Sequence, residues 1–194
     1  VERILIVKAL GAKVILTPPS ERIDGAIRKA KEMINRDPDK YYMLDQFSNY
    51  SNPTAHYYGT GREIWEDTDG KLTHFVAGLG TTGTIMGAGR FLKEMKPSIK
   101  LIGVEPEKGH KIQGLKNMSE SIVPKIFDSS FLDEVVHVST EDAYKWALRL
   151  TKEEGIFVGQ SSGAAFYAAY EVGKDVDEGL IVVIFPDMGF KYTS

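Results

Sequence analysis

His74-Phe75-Val76-Ala77-Gly78-Leu79-Gly80-Thr81-Thr82-Gly83-Thr84-Ile85-Met86-Gly87 reads as a strand, a glycine loop and the start of a helix. Residues 75–77 form a short apolar run closed by glycine. Beyond the loop, Ile85, Ala88, Phe91, Leu92 and Met95 recur with the spacing of one helix face, which predicts a helix over residues 84–96. The loop therefore sits at a helix N-terminus, where the first backbone N–H groups lack intrahelical partners and the dipole favours an anion. Gly80 and Gly83 let the backbone come close to a phosphate, and Thr81, Thr82 and Thr84 add hydroxyl donors. A small phosphorylated ligand suits such a loop.

Taken alone, the loop carries more than one reading. Gly78-x-Gly80-x-x-Gly83 matches the dinucleotide fingerprint, and Glu105 follows at the end of another apolar run, where a nicotinamide cofactor's ribose would look for an acid. A plain strand-to-helix turn of an α/β domain reads the same way.

Composition narrows the class. The 194 residues are 42% hydrophobic and 26% charged, enough for a substantial core in one large or two small domains. A net charge of −3 offers no basic field for nucleic acid or an anionic membrane. With no cysteine, disulfides, thiolate nucleophiles and sulfur-based zinc sites are excluded, and a cytoplasmic setting is expected. His56, His74, His110 and His137 are scattered without HExxH spacing, and Ser161-Ser162-Gly163 lacks a GxSxG elbow, so neither a metal centre nor a hydrolase is indicated. The histidines read as surface or packing residues.

The remaining elements alternate as in a parallel α/β protein. The chain opens within a helical pattern that stops at Gly11, without an N-cap before it, so more chain is expected upstream. Strands are expected at residues 13–17 and 41–44 around a helical stripe of Ile23, Ala26, Ile27, Ala30, Met33 and Ile34. A helix starting at Pro53 is expected to run toward Asp67. Residues 100–106 and 135–138 read as strands, with Ser139 or Thr140 capping a helix that buries Ala143, Trp146, Ala147 and Leu150. Residues 180–185 read as a central strand. Ser161 or Ser162 is placed to cap the helix after Gly159, with small residues behind it that would let something flat lie close. Gln46 lies in a loop at the carboxyl end of a predicted strand, where α/β proteins bind ligands. The unpatterned residues 107–134 carry Lys108, Lys111, Lys116 and Lys125, either as a cover over a site or as solvated charges.

In order along the chain stand Lys8-Ala9-Leu10-Gly11-Ala12, Asp45-Gln46-Phe47-Ser48-Asn49, Gly59-Thr60-Gly61-Arg62-Glu63-Ile64-Trp65, Gly80-Thr81-Thr82-Gly83-Thr84, Gly103-Val104-Glu105-Pro106, Gly159-Gln160-Ser161-Ser162-Gly163 and Pro186-Asp187-Met188-Gly189. The set resembles the cysteine synthase and cystathionine β-synthase family, pyridoxal 5'-phosphate enzymes of fold type II. The resemblance covers essentially the whole chain and ranks the nicotinamide reading a distant second.

The resemblance implies a three-layer α/β architecture of the tryptophan synthase β kind. Residues 1–50 would be what remains of a smaller N-terminal domain, and 51–194 the larger domain that binds the cofactor phosphate. It implies that Gly80, Thr81, Thr82, Gly83 and Thr84 cradle that phosphate, that Ser161 faces the pyridine nitrogen as a neutral partner, and that Gln46 lies near the substrate carboxylate. The implied reaction exchanges the β-substituent of O-phosphoserine or O-acetylserine for sulfide or another sulfur donor, giving L-cysteine, in a homodimer. Residues 114–118 and 189–192 lean toward the phosphoserine branch, where an arginine at the place of Lys116 receives the substrate phosphate; residues 110–114 resemble the acetylserine branch. The family's Schiff-base lysine and substrate-carboxylate loop lie upstream of what matches Val1 onward, and nothing here resembles either. These residues alone are therefore expected to be inactive, and a non-catalytic remnant is the remaining alternative.

Overall fold

Phe75 and Ala77 point to one side of β1 (His74–Gly78) and Val76 to the other, and all three are buried, because the strand is covered on both faces. That is why its sequence is a continuous apolar run rather than an alternating one. In the computed structural model, which describes residues 2–192, β1 is an inner strand of a four-stranded sheet, with β2 (Lys100–Pro106) on one side and β4 (Ile181–Val183) on the other. The outer neighbour of β2 is β3 (Glu134–Val138), and every pairing is parallel, with Val76 opposite both Ile102 and Val183.

Helices cover both faces. On one lie α4 (Thr60–Asp67) and α5 (Gly83–Met95), with Ile85, Ala88 and Leu92 packed on Phe75, Ala77 and Leu101. On the other lies α7 (Gln160–Gly173), whose Ala164, Ala165, Ala168 and Ala169 pack on Val76, Ile102 and Val104 and whose outer side meets α6 (Thr140–Glu153). Ser139 caps α6 as expected, its Oγ accepting the Asp142 N–H at 3.0 Å. Together with α3 (Ser51–Tyr58) these elements belong to a unit spanning Gln46–Phe190.

A second unit comprises the described residues up to Asp45, with Lys191 and Tyr192. It contains α1 (Glu2–Ala9) and α2 (Arg22–Arg36). The chain leaves α1 through Gly11 at φ +82°, where the Gly11 and Ala12 N–H groups bond back to the carbonyls of Lys8 and Val7. The opening of that helical pattern at Val1, and residues 193 and 194 at the other end, lie outside the described residues.

Several expectations are corrected. Residues 13–17 and 41–44 are not strands: neither finds a ladder among the described residues, and Leu16, Tyr42 and Leu44 are exposed. A β-like apolar pattern becomes a strand only where a neighbour takes up its backbone groups. The helix expected from Pro53 to Asp67 is two helices, α3 and α4, broken at Gly59, whose dihedrals (φ −102°, ψ −90°) fit neither. Among the described residues β4 stands at the edge of the sheet rather than at its centre. Its apolar run is half-buried on two faces, Ile181 and Val183 on one and Val182 on the other, and periodicity reports faces, not neighbours. Among the described residues no helix is long and apolar enough to cross a membrane.

Candidate active site

Residues 79–83 turn from β1 into α5 along a path fixed by close contacts. Leu79 continues the sheet, its N–H donating to the Val104 carbonyl at 2.8 Å and its carbonyl accepting the Lys116 N–H at 2.7 Å. Residues 114–116 therefore run beside the loop. A Cβ on Gly80 would collide with the Gly114 carbonyl oxygen, and one on Gly83 with the Asn52 side chain, so glycine is required at both for packing. Thr82, the residue before α5, sits in the left-handed region (φ 70°, ψ −2°). It is buried, and its Oγ1 has no hydrogen-bond partner among the described residues. An orphaned buried donor beside the open N–H groups of a 13-residue helix is a fit for an anion.

Two residues that sequence reasoning passed over support the loop from α3. Asn52 Nδ2 donates to the Gln46 carbonyl at 2.8 Å and to Thr81 Oγ1 at 3.1 Å, tying the Gln46 turn to the loop. His56, read as a surface or packing residue, instead lies between two hydroxyls, Nδ1 3.0 Å from Thr60 Oγ1 and Nε2 3.3 Å from Thr84 Oγ1. Asn52, His56 and Thr60 are each four residues apart, the one signal that could have found them.

Ser161 approaches from the opposite layer. Its Oγ is 3.8 Å from where a Cβ on Gly114 would stand, so Gly114, at φ +91°, joins Ser161 to the Gly80 loop. Neither serine caps α7, contrary to expectation. Gly159 does, because bonds between residues 157–159 and 187–189 keep the chain extended up to that point, and Ser161 and Ser162 fall in the first turn, both buried. Nor do the small residues leave room for a flat ligand at Gly163, where a Cβ would strike the Ala143 carbonyl oxygen of α6. Ser162 Oγ, like Thr82 Oγ1 at the start of α5, finds no hydrogen-bond partner among the described residues.

The segment after β2 is clamped to the strand's end. Glu105 Oε1 accepts the Met118 N–H at 2.9 Å, and the buried Asn117 donates to the Pro106 carbonyl at 2.9 Å. The acid that the nicotinamide reading needed for a ribose thus holds protein backbone. Lys116 is buried, not a solvated charge: Nζ donates to the Ile122 carbonyl at 3.2 Å and lies 5.2 Å from the centre of the Phe47 ring. The Phe47 carbonyl accepts the Lys125 N–H at 2.8 Å, so the residues after Gln46 are held from two points of that segment.

The sequence profile of the pyridoxal-phosphate dependent enzymes matches residues 1–187. The chain belongs to that family. The family's cofactor is pyridoxal 5'-phosphate, whose phosphate suits the orphaned Thr82 hydroxyl and the glycine cradle. Among its relatives, this member of the family is 54% identical to a cysteine synthase of Aquifex aeolicus and 42% identical to cysteine synthase B of Escherichia coli, in each case over its whole length. It spans 61% and 63% of those two proteins. Among solved structures it superposes on cysteine synthase of Entamoeba histolytica with a TM-score of 0.91 at 40% identity, covering all of this chain and 60% of the other. An O-acetylserine dependent cystathionine β-synthase of Helicobacter pylori gives 0.91 at 40%, covering 99% of this chain and 65% of that one. The architecture is that of the fold type II pyridoxal-phosphate enzymes.

Proposed function

We propose that the protein carrying this chain makes L-cysteine by β-replacement on an activated serine, O-phosphoserine or O-acetylserine, with sulfide or another sulfur donor. The observation that carries the reading is the convergence of the Gly80 loop and Ser161 on Gly114, in a chain 54% identical to a cysteine synthase. When bound, pyridoxal phosphate supplies an electron sink that makes loss and replacement of a β-substituent accessible.

This chain's residues bind and orient. Gly80, Thr81, Thr82, Gly83 and Thr84 offer backbone N–H groups and hydroxyls to the phosphate at the α5 N-terminus. Ser161 meets the ring nitrogen with a neutral hydroxyl, which leaves that nitrogen unprotonated and moderates the sink. Gln46, whose turn Asn52 ties to the loop, lies on the substrate-carboxylate side. Lys116 is the residue on which the choice of leaving group turns. It offers a point charge to a phosphate leaving group, without the fork that an arginine would give.

On this reading the larger compact unit, residues 46–190, binds the cofactor, and the unit made of the residues up to Asp45 with Lys191 and Tyr192 belongs to a smaller domain. No lysine here is assigned to covalent attachment. The 194 residues alone are expected to bind phosphate without a borohydride-reducible chromophore, whereas the full-length protein is expected to show one and to form cysteine from an activated serine and sulfide. Absence of both from the full-length protein overturns the reading. The same reading implies a cytoplasmic homodimer that acts on small molecules, not on nucleic acid or membranes.

A further inference from the structure

Among the described residues, His56 contacts two hydroxyl groups through its ring nitrogens, and they belong to the first turns of different helices: Thr60 opens α4 and Thr84 stands in the first turn of α5. Burial holds the imidazole below its ordinary pKa, so the ring is neutral near pH 7, with one donor and one acceptor. That leaves two arrangements. With the proton on Nδ1, the ring donates to Thr60 and accepts the Thr84 proton at Nε2; Thr84 then turns only lone pairs toward the loop. With the proton on Nε2, the ring donates to Thr84 Oγ1 and accepts the Thr60 proton at Nδ1, which releases the Thr84 proton for a third partner. An anion at the α5 N-terminus selects the second arrangement, because lone pairs facing it would repel.

We propose that His56 is a positioning residue for the anion loop: held as the Nε2–H tautomer between Thr60 and Thr84, it turns the Thr84 hydroxyl proton toward the bound cofactor phosphate. The inference deepens the reading given under Proposed function and rests on it. The chain of donors runs from Thr60 through His56 to Thr84 and ends on the phosphate. Asn52, one helical turn earlier, holds Thr81 on the same loop, so α3 supports the loop at two points. A glutamine side chain places its amide nitrogen near the position of Nε2, and an asparagine places its amide near Nδ1. The two substitutions therefore separate the donor toward Thr84 from the acceptor toward Thr60.

The test uses the full-length protein stripped of cofactor, with dissociation constants measured for pyridoxal phosphate and for pyridoxal, which lacks the phosphate. His56→Asn is expected to weaken pyridoxal phosphate about tenfold while His56→Gln stays within about threefold, and neither changes pyridoxal binding. Thr84→Val combined with His56→Asn is expected to weaken binding no more than Thr84→Val alone. In the unsubstituted protein, nitrogen-15 spectra of His56 are expected to show the Nε2–H tautomer once cofactor is bound, a readout independent of whether any variant folds. The Nδ1–H tautomer, or equal loss in His56→Asn and His56→Gln, overturns the positioning role. If Thr84→Val weakens pyridoxal phosphate while both His56 variants bind as wild type, only this inference fails. If Thr84→Val also binds as wild type, Thr84 does not hold the phosphate and this inference fails; if Gly80→Ala binds as wild type too, the loop does not hold it and the functional reading fails as well.

Discussion

Asp133 and Leu101 exchange two hydrogen bonds: the Leu101 N–H donates to Asp133 Oδ2 at 2.9 Å, and the Asp133 N–H donates to the Leu101 carbonyl at 3.0 Å. This pair joins the residue before β3 to the start of β2, and the carboxylate also receives Lys93 at 2.8 Å and Lys100 at 3.3 Å. Burial pushes the Asp133 carboxyl up, but the bonds from Lys93, the Leu101 N–H and Lys100 outweigh it and hold the group below the ordinary carboxylate value. Its stabilisation is therefore full above the unfolded-state pKa and is lost as pH falls through the lower folded value. Asp133→Ala, which strands the buried Leu101 N–H, is expected to cost about 1–3 kcal/mol at neutral pH, with the gap to wild type narrowing below pH 4. Urea unfolding at both pH values checks this.

Histidine protonation acts in the same direction at higher pH. Burial lowers His56; burial, and then the charge of Lys100, lower His74, whose Nδ1 lies 2.8 Å from Thr73 Oγ1. Both rings favour the neutral form when folded, so their contribution is complete above the unfolded histidine pKa and declines as pH drops below it. His74→Gln is expected to flatten the fall in melting temperature between about pH 7 and pH 5. An unchanged slope removes His74 from that account.

Gly80 is expected to resist every substitution. A methyl there meets the Gly114 carbonyl oxygen, a backbone atom whose own position is fixed by the bond from the Lys116 N–H to the Leu79 carbonyl. Gly80→Ala should lower stability by about 1–3 kcal/mol and weaken pyridoxal phosphate at least tenfold. Thermal melts with and without cofactor separate the two losses.

Lys116 should discriminate between substrates. With Lys116→Met, which keeps the stem over Phe47 and removes the ammonium, KM for O-phosphoserine is expected to rise about tenfold or more, while KM for O-acetylserine stays within about twofold. Equal changes for both substrates would make Lys116 a packing residue.

The fold was readable wherever the apolar pattern lay inside elements buried on defined faces. β1, α5, β2, β3 and α6 stand where residues 74–150 placed them, and the place of the glycine loop at the α5 N-terminus was legible because glycine and threonine report local backbone chemistry. What failed depended on neighbours. Residues 13–17 have strand composition but find no partner strand among the described residues, and nothing within residues 180–185 tells which side of the strand has a neighbour. Of the site, Gly80 and Thr82 were visible and their supports were not. Asn52, His56 and Thr60 share a spacing of four, but the break at Gly59 interrupts the periodicity that would have exposed them. Lys116 stayed open between a site cover and a solvated charge because sequence shows a lysine's head and not where its stem is buried.

Anyone engineering this protein for heat tolerance would be drawn to Thr82 first. A threonine held at φ 70° costs roughly 1–2 kcal/mol relative to a relaxed backbone, and glycine would relieve it. Glycine would also remove a buried hydroxyl that has no partner among the described residues. The replacement should raise the melting temperature of the cofactor-free protein and shrink the further rise that cofactor brings, because the proposed function gives the deleted hydroxyl to the phosphate. Robustness and grip are antagonistic at this position, and a screen for thermal survival alone would select against the trait that a screen for loaded protein would keep.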